Sequence, residues 1–173
     1  ALLAAKDRLR FVTGPTELHP GVWLLPHTTP GLEKQGEKVA MYRQGPDGLR
    51  PDDFAHEQTL VFLYGAEMAL FSSCSHAGAD TVVAEAMAAF PGKAVRAFFG
   101  GFHLMGAGGA GTLGVRPEKA QALGRRLLEL GVEEIWTGHC TGKPAFDLLT
   151  PILGSRLHYL ATGTVVRLWE DGK

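Results

Sequence analysis

Three histidines in this chain share one sequence setting. Each follows an apolar, strand-like run and lies among Gly, Ser, Cys or Thr: His76 in MALFSSCSHAG, His103 in AVRAFFGGFHL and His139 in EIWTGHCTG. In an open α/β sheet the carboxyl ends of the strands face one edge, where ligands bind. Neutral imidazole is a common ligand of zinc and iron, so three imidazoles at one edge predict part of a metal site. For any single histidine, the alternative is a structural residue hydrogen-bonded to backbone.

Two cysteines lie beside these histidines. Cys74 and Cys140 could supply thiolate ligands or a nucleophile, and Cys74 could instead support a metal-bound histidine. The alternative for both is a small buried hydrophobe. Neither belongs to a CxxC motif, which argues against paired thiol redox chemistry. If His139 and Cys140 are consecutive on a strand they point to opposite faces, so we expect that they do not both ligate one ion.

Acidic and anion-binding candidates flank the same segments. Asp53 and Glu57 precede an apolar run and could orient a metal-bound histidine, or they are solvated loop acids. Thr141 and Lys143 follow His139 and could hold an anionic substrate group at a helix start. The alternative for these two is an N-cap threonine and a surface lysine.

The remaining histidines have no such setting. For these we expect exposed or locally bonded side chains; they are His19, His27, His56 and His158.

Composition narrows the class of protein. A chain of 173 residues with 45% hydrophobic and 20% charged residues can bury a core, and its length fits a single domain. The net charge of −1 comes with no basic block, so nucleic-acid binding is not expected. Two cysteines are too few for a disulfide framework, and no apolar run could span a bilayer. The start has an apolar patch before its charges, the reverse of a signal peptide, so we expect a cytoplasmic protein.

Periodicity predicts an α/β layered fold with an irregular lead-in over residues 1–50 and a core over residues 51–173. In the lead-in, GVWLLPHTT reads as a strand ended by Pro26. In the core, the glycine-rich residues 106–114 could approach a ligand or form a surface loop. Pro117 is placed to begin a helix. The core is predicted to contain strands at 58–64, 68–72, 94–99, 132–137 and 163–169 and helices at 79–90, from 117 to before Gly131, and at 143–153.

The blocks DDFAHEQTLVFLY, SSCSHAG, FFGGFHL and GHCTGKPA resemble the carboxyl-terminal half of metallo-β-lactamase-fold hydrolases. In particular they resemble the subgroup around the synthase that joins a dihydropterin to a ribofuranosyl-aminobenzene phosphate. GPTELHPGVWLLPHT resembles the segment that precedes that half, and the first histidine block reads SCSH where the subgroup has GCSH. The similarity covers nearly the whole chain.

The resemblance implies half of an αββα sandwich, a mixed sheet with outer helices. It implies a divalent metal, zinc first and iron or manganese as alternatives, with two ions in the complete protein. It places His76, His103 and His139 at or beside the metal, with His103 as a ligand, a residue that supports a ligand, or a substrate contact. The reaction it implies uses metal-activated water or a metal-polarised phosphate ester on a small, phosphorylated or pterin-like substrate.

One departure from the family pattern matters. The main metal-binding motif of the family, HxHxDH, belongs to its amino-terminal half and does not occur in this sequence. A lone half would expose the apolar sheet face that normally packs on its partner, so we expect a second polypeptide segment or partner chain to complete the core. The alternative function is a catalytically inactive fold remnant that acts as a binding or dimerisation module, for which a homo-oligomer is one form.

Overall fold

A computed structural model describes residues 7–169. Its strands are β1 (Thr16–His19), β2 (Val22–Pro26), β3 (Tyr42–Gly45), β4 (Gly48–Pro51), β5 (Gln58–Tyr64), β6 (Glu67–Phe71), β7 (Ala94–Phe99), β8 (Met105–Gly106), β9 (Gly109–Leu113), β10 (Glu134–Thr137) and β11 (Leu157–Tyr159). Its α-helices are α1 (Glu33–Lys38), α2 (Ala79–Ala89), α3 (Pro117–Glu129) and α4 (Lys143–Leu153). Short 3-10 turns follow at His139–Thr141 and Gly154–Arg156.

Seven strands form one mixed sheet in the order β1-β2-β5-β6-β7-β10-β11. The pairs β1/β2, β2/β5 and β5/β6 are antiparallel, whereas β6/β7, β7/β10 and β10/β11 are parallel. The parallel connections pass through α2, α3 and α4, as parallel neighbours require. β2 and β6 are each antiparallel to β5, so β2 also runs in the direction of the parallel strands.

The helices pack on one face of this sheet and bury the main core. Strand side chains alternate between the faces, and in β6 Met68 and Leu70 point at the helices. In β7 the register with β6 shifts between Val95 and Ala97, so that Val95 and Phe98 both lie on the helix side. The sheet contributes Val61, Met68, Leu70, Val95, Phe98 and Ile135, and the helices contribute Val82, Val83, Ala86, Ala120, Leu127, Ala145 and Leu149. Full burial of each large aliphatic side chain contributes about 1.5–3 kcal/mol to folding.

Aromatic side chains line the opposite face of the sheet. Ring contacts run from Phe62 to Phe71, Phe99, Trp136 and His158, crossing five neighbouring strands. The closest of them join Trp136 to His158 and Phe71 to Phe99, with ring centroids 4.3 and 4.5 Å apart. Phe71 is 37% exposed, so this aromatic face is only partly covered.

The carboxyl-terminal segment supplies that partial cover and corrects one sequence prediction. Residues 163–169 were predicted to be the last strand, but β11 is the last strand among residues 7–169, and residues 160–169 are irregular. Val166, Leu168 and Trp169 pack across the aromatic face instead, and Trp169 Nε1 donates to Glu67 at 2.7 Å. A short run of apolar and β-branched residues does not make a strand by itself, because the backbone needs a neighbouring strand to bond with.

The remaining core elements fall close to their predicted positions. The helix prediction from Pro117 is confirmed, and Gly131 follows it with a φ of 75°. Residues 106–114, which could have been an irregular loop, form most of the hairpin β8–β9. The predicted fold class, a mixed sheet with outer helices, is confirmed. Within the lead-in, β1 and β2 add two strands to the main sheet.

Candidate metal centre

The three histidine segments meet at one edge of the sheet. β6, β7 and β10 are adjacent and parallel, and each is followed at its carboxyl end by a loop that carries one histidine. The loops cover residues 72–78, 100–104 and 138–142. Ligand sites in open α/β sheets occupy this kind of edge.

Backbone strain is concentrated in these loops. Among residues 7–169, five non-glycine residues have positive φ, and three of them are Ser75 (49°), His103 (48°) and His139 (46°). Such conformations cost of order 1–3 kcal/mol and persist where the surroundings over-determine them, often at functional sites. The packing therefore holds two of the three histidines, and the neighbour of the third, in conformations that an unconstrained loop would avoid.

Two glycines let the loops approach one another closely. A Cβ on Gly100 would lie 2.2 Å from the carbonyl oxygen of Ser72, and its φ is 157°. A Cβ on Gly101 would lie 2.4 Å from Sγ of Cys140. Only residues without a side chain fit there, which explains the Gly-Gly pair ahead of His103.

His76 is held by Glu57 through two contacts. The backbone N–H of His76 donates to Oε2 of Glu57 at 3.2 Å, and ring Nδ1 contacts Oε1 of the same carboxylate. The His76 ring also stacks on the fully buried Phe54, with centroids 5.9 Å apart. Because Nδ1 faces Glu57, Nε2 is the nitrogen left for an ion, an arrangement common among metal-binding histidines.

His103 packs edge-on against His76, with ring centroids 4.4 Å apart. Its backbone N–H donates to Sγ of Cys140 at 3.3 Å. Its Nδ1 is buried without a hydrogen-bond partner among the residues that the structure describes. Burial and the positive charge of a protonated His76 lower the pKa of His103, against a smaller opposing effect of Glu57. A neutral imidazole with an unpaired nitrogen is suited to bind a cation.

His139 is exposed, and its ring lies beside two sulfur atoms. One ligand atom from each of Cys74, His139 and Cys140 lies within 4.8 Å of the others. The expectation that His139 and Cys140 could not both face one ion is therefore wrong. It assumed a strand, but these residues lie in a 3-10 turn, where consecutive side chains do not alternate between two faces.

Cys140 is the more enclosed of the two cysteines. It is 2% exposed, and its Sγ lies 3.8 Å from the carbonyl oxygen of Cys74. Burial and the contact with Cys74 raise the pKa of the Cys140 thiol to about 12. The thiol is thus protonated at neutral pH, and a metal ion would have to displace its proton in order to bind sulfur.

The predicted substrate contacts lie in ordinary structural settings. The Thr141 hydroxyl is buried, where it accepts the N–H of Phe102 at 2.9 Å and bonds to the hydroxyl of Thr137. Lys143 is exposed at the start of α4 and pairs with Asp147 at 2.6 Å. Both hydroxyl and ammonium therefore have partners within the protein.

The two acidic candidates behave differently. Glu57 contacts His76, whereas Asp53 pairs with Arg43 of β3 and accepts the N–H of Ala55. Glu57 is thus the carboxylate that the fold brings to the histidine loops.

Sequence reasoning missed His27 and Glu85. His27 was expected to be exposed or locally bonded, but its side chain is 5% exposed and lies between Glu57 and Glu85. A signal was present: His27 directly follows the apolar run of β2, just as the other three follow theirs. Because β2 runs in the direction of β6, its carboxyl end reaches the same edge.

A cavity of about 380 Å³ opens beside the two contacting histidines. Its lining includes His76, His103, Asp80, Lys119 and Arg126. A second cavity of about 590 Å³ shares His103 and Lys119 with the first. Arg126 pairs with the exposed Glu129 at 3.0 Å. The space adjoining the histidines is therefore of small-molecule size and carries cationic side chains on the α3 side.

The donor set fits a divalent transition metal. Nε2 of His76, the unpaired Nδ1 of His103 and the cluster of Cys74, His139 and Cys140 offer imidazole and sulfur donors near the same sheet edge. Zinc prefers these nitrogen and sulfur ligands, whereas magnesium and calcium prefer oxygen.

Two known proteins are similar to this chain, one in sequence and one in fold. The chain is 26% identical over 156 residues to the 7,8-dihydropterin-6-methyl-4-(β-D-ribofuranosyl)-aminobenzene-5′-phosphate synthase of Methanocaldococcus jannaschii; the match covers 88% of this chain and 50% of the synthase. A crystal structure of a metal-dependent hydrolase of the β-lactamase superfamily superposes with a TM-score of 0.69 and 22% identity, covering 89% of this chain and 56% of the hydrolase chain. No protein-family model matches the chain.

These findings confirm the resemblance predicted from the sequence. The chain has the fold of the β-lactamase superfamily hydrolases and spans about half the length of the synthase that it matches. Within residues 7–169, no helix is both long enough and apolar enough to cross a membrane.

Proposed function

We propose that this chain is the carboxyl-terminal portion, folded as one domain over residues 1–173, of a metal-dependent enzyme that acts on a small phosphorylated or pterin-like substrate. The observation that carries the proposal is that the loops after three adjacent parallel strands each carry one of His76, His103 and His139. The rings of His76 and His103 are in contact, and His139 lies beside Cys74 and Cys140. The similarity to a metal-dependent hydrolase and to a pterin-related synthase supports it.

The proposed ion is divalent, zinc first, with iron or manganese as alternatives and two ions in the complete protein. His76 and His139 are the proposed ligands, and His103 either ligates the ion or contacts the substrate. When bound, such an ion lowers the pKa of a coordinated water and polarises a phosphate ester. Cys74 supports the site from beside His139.

The chain's own side chains supply orientation and charge. Glu57 holds the His76 ring with Nδ1 occupied, so that the same nitrogen always faces the ion. Lys119 and Arg126 line the cavity wall, where their positive charges would attract the phosphate of a substrate. Thr141 and Lys143 remain a second candidate contact, which would require Lys143 to leave Asp147.

A second polypeptide segment is proposed to complete the enzyme. The chain covers about half of the synthase and lacks the HxHxDH motif. The aromatic face of the sheet is only partly covered, with Phe71 37% exposed. An amino-terminal half of the same protein, or a partner chain, would bury this face and add further metal ligands.

The same aromatic face supports a second candidate function. A catalytically inactive binding or dimerisation module would use this surface against a partner or a second copy, without needing the metal. The two functions separate cleanly, because only the enzyme requires the histidines.

The discriminating experiment measures metal and activity together. The protein is purified in zinc-replete buffer together with the amino-terminal half or partner chain that is proposed to complete it. Its metal content is determined by mass spectrometry, and hydrolysis of chromogenic phosphate mono- and diesters is followed with and without a chelator. The enzyme hypothesis expects bound metal and a chelator-sensitive activity that added zinc restores. A metal-free protein that still self-associates would favour the binding module.

A further inference from the structure

A row of four ionisable side chains leads from α2 to the His76 ring. It runs from Glu85 through His27 and Glu57 to His76. The side chains of Glu85, His27 and Glu57 are 9%, 5% and 12% exposed, so three charged or chargeable groups share a nearly dry environment. Buried charges of this kind persist only when they are paired.

Glu85, at the outer end of this row of side chains, is hydrogen-bonded to the backbone. Oε1 of Glu85 accepts the N–H groups of Thr28 and Thr29 at 2.8 and 2.7 Å. Its other oxygen, Oε2, lies 2.7 Å from Nδ1 of His27. Glu85 therefore sets both the position of the loop after β2 and the orientation of the His27 ring.

Further along this row of side chains, His27 faces Glu57. Nε2 of His27 lies 3.5 Å from Oε2 of Glu57, which is within ion-pair range but too long for a well-formed hydrogen bond. Burial disfavours the imidazolium of His27, but the contacts and charges of Glu57 and Glu85 outweigh it and raise its pKa to about 9. Burial likewise opposes ionisation of Glu57, and contacts with His27 and His76 lower its pKa despite this.

We propose that His27 is a positioning residue for the metal centre: it draws Glu57 into the orientation in which the other carboxylate oxygen holds Nδ1 of His76. This inference rests on the proposed function, because it assigns His76 to the metal. Without a cation at position 27, Glu57 and Glu85 would be two like charges facing each other in a poorly solvated space. Glu57 would then turn toward solvent and release the His76 ring.

The test is a double-mutant cycle on zinc affinity, measured by competition with a colorimetric chelator. Glu57→Gln alone is expected to weaken zinc binding about 10- to 100-fold and His27→Gln alone about tenfold, the range seen when partners of metal ligands are removed. If His27 acts through Glu57, adding His27→Gln to Glu57→Gln costs less than about twofold more. Additive losses, or no loss in His27→Gln, would overturn the proposal.

The matched control is His56→Gln. The His56 side chain is 65% exposed and lies 3.7 Å from Asp52, which is not one of the four side chains in the row. It should bind zinc like the unchanged protein. Because His27→Gln also removes a buried contact, the unfolding midpoint of every variant is measured beside its zinc affinity.

A measurement on the unchanged protein keeps the proposal testable even if His27→Gln fails to fold. The ring nitrogens of the metal-free protein are observed by nitrogen-15 NMR. The proposal expects a proton on Nδ1 of His76, donated to Glu57, and protons on both nitrogens of His27 at neutral pH. A bare Nδ1 on His76 would contradict it. If no zinc binds to the unchanged protein, the proposed function fails, whereas this NMR result still decides the role of His27.

Discussion

Glu57 contacts His76 at two points: one carboxylate oxygen accepts the backbone N–H at 3.2 Å, and the other contacts ring Nδ1. This relationship links the start of β5 to the loop after β6, and it fixes both the loop and the ring. A loop histidine that would otherwise rotate freely is thereby pre-oriented, which reduces the entropy lost when an ion binds.

Replacing Glu57 with Gln tests the contact between the Glu57 carboxylate and His76. The amide keeps the size of the side chain but removes the charge that favours a proton on Nδ1 of His76. Zinc affinity is expected to fall about 10- to 100-fold, as measured by competition with a chelator. Glu37→Gln, an exposed change of the same chemistry on α1, is the control and should leave affinity unchanged. Equal affinity in both variants would show that Glu57 does not support the site.

The stability of the protein should depend on pH through His27. Its pKa is raised from 6.5 to about 9, so the folded chain holds the proton more tightly than the unfolded chain does. The stabilisation that this provides is complete below about pH 6.5 and is lost as the pH rises through about 9. Glu57 and Glu85, whose pKa values are lowered, stay ionised across this window.

Denaturant unfolding of the unchanged protein and of His27→Gln measures this effect. The difference in unfolding free energy between the two should shrink as the pH rises across the window. A difference that stays constant would mean that His27 is not charged in the folded protein.

Cys140 should resist alkylation at neutral pH. Its thiol is 2% exposed and its pKa is raised to about 12, so almost no thiolate is present to react. Treatment of the metal-free protein with iodoacetamide, followed by peptide mass spectrometry, should modify the half-buried Cys74 well before Cys140. Faster modification of Cys140 would contradict this picture of a closed thiol.

Gly101→Ala should disturb the contact between the loops after β7 and β10. The added Cβ would lie 2.4 Å from Sγ of Cys140, and overpacking of this kind typically costs about 1–3 kcal/mol. Gly111→Ala is the control, since a Cβ there meets no atom within 4 Å and the backbone needs no positive φ. Thermal unfolding should separate the two variants, and equal midpoints would show that the loops relax without cost.

The elements that place the histidines were predictable because their signals are local. The runs at 58–64 and 94–99 form strands over the same residues, and the helix beginning at Pro117 ends before Gly131. That the loops carrying His76, His103 and His139 follow the carboxyl ends of three adjacent strands was predictable from strand direction. The order of strands and helices was enough to predict it.

The predictions for His27 and for residues 163–169 failed for the same reason: the contact that decides the structure is made with residues distant in sequence. His27 is paired with Glu57 and Glu85, 30 and 58 residues away along the chain, and no local pattern records such a pairing. The segment 163–169 was predicted to be a strand, yet no strand lies beside it among the residues described.

The third miss has a local origin. His139 and Cys140 were treated as strand residues, but β10 ends at Thr137 and a 3-10 turn follows. Glycines at 138 and 142 bracket that turn, and they were the available signal. Conformation after a strand end decides which neighbours can share an ion, and alternation rules stop applying there.

The central claim is that His76 and His139 hold a divalent metal. The most direct test is the zinc content of the protein after zinc-replete purification and dialysis, compared between the unchanged protein and the variants His76→Ala and His139→Ala. We predict bound zinc in the unchanged protein and a marked loss in both variants, while His56→Ala retains it. Unchanged zinc content in His76→Ala and His139→Ala, or no zinc in any of the proteins, would contradict the account.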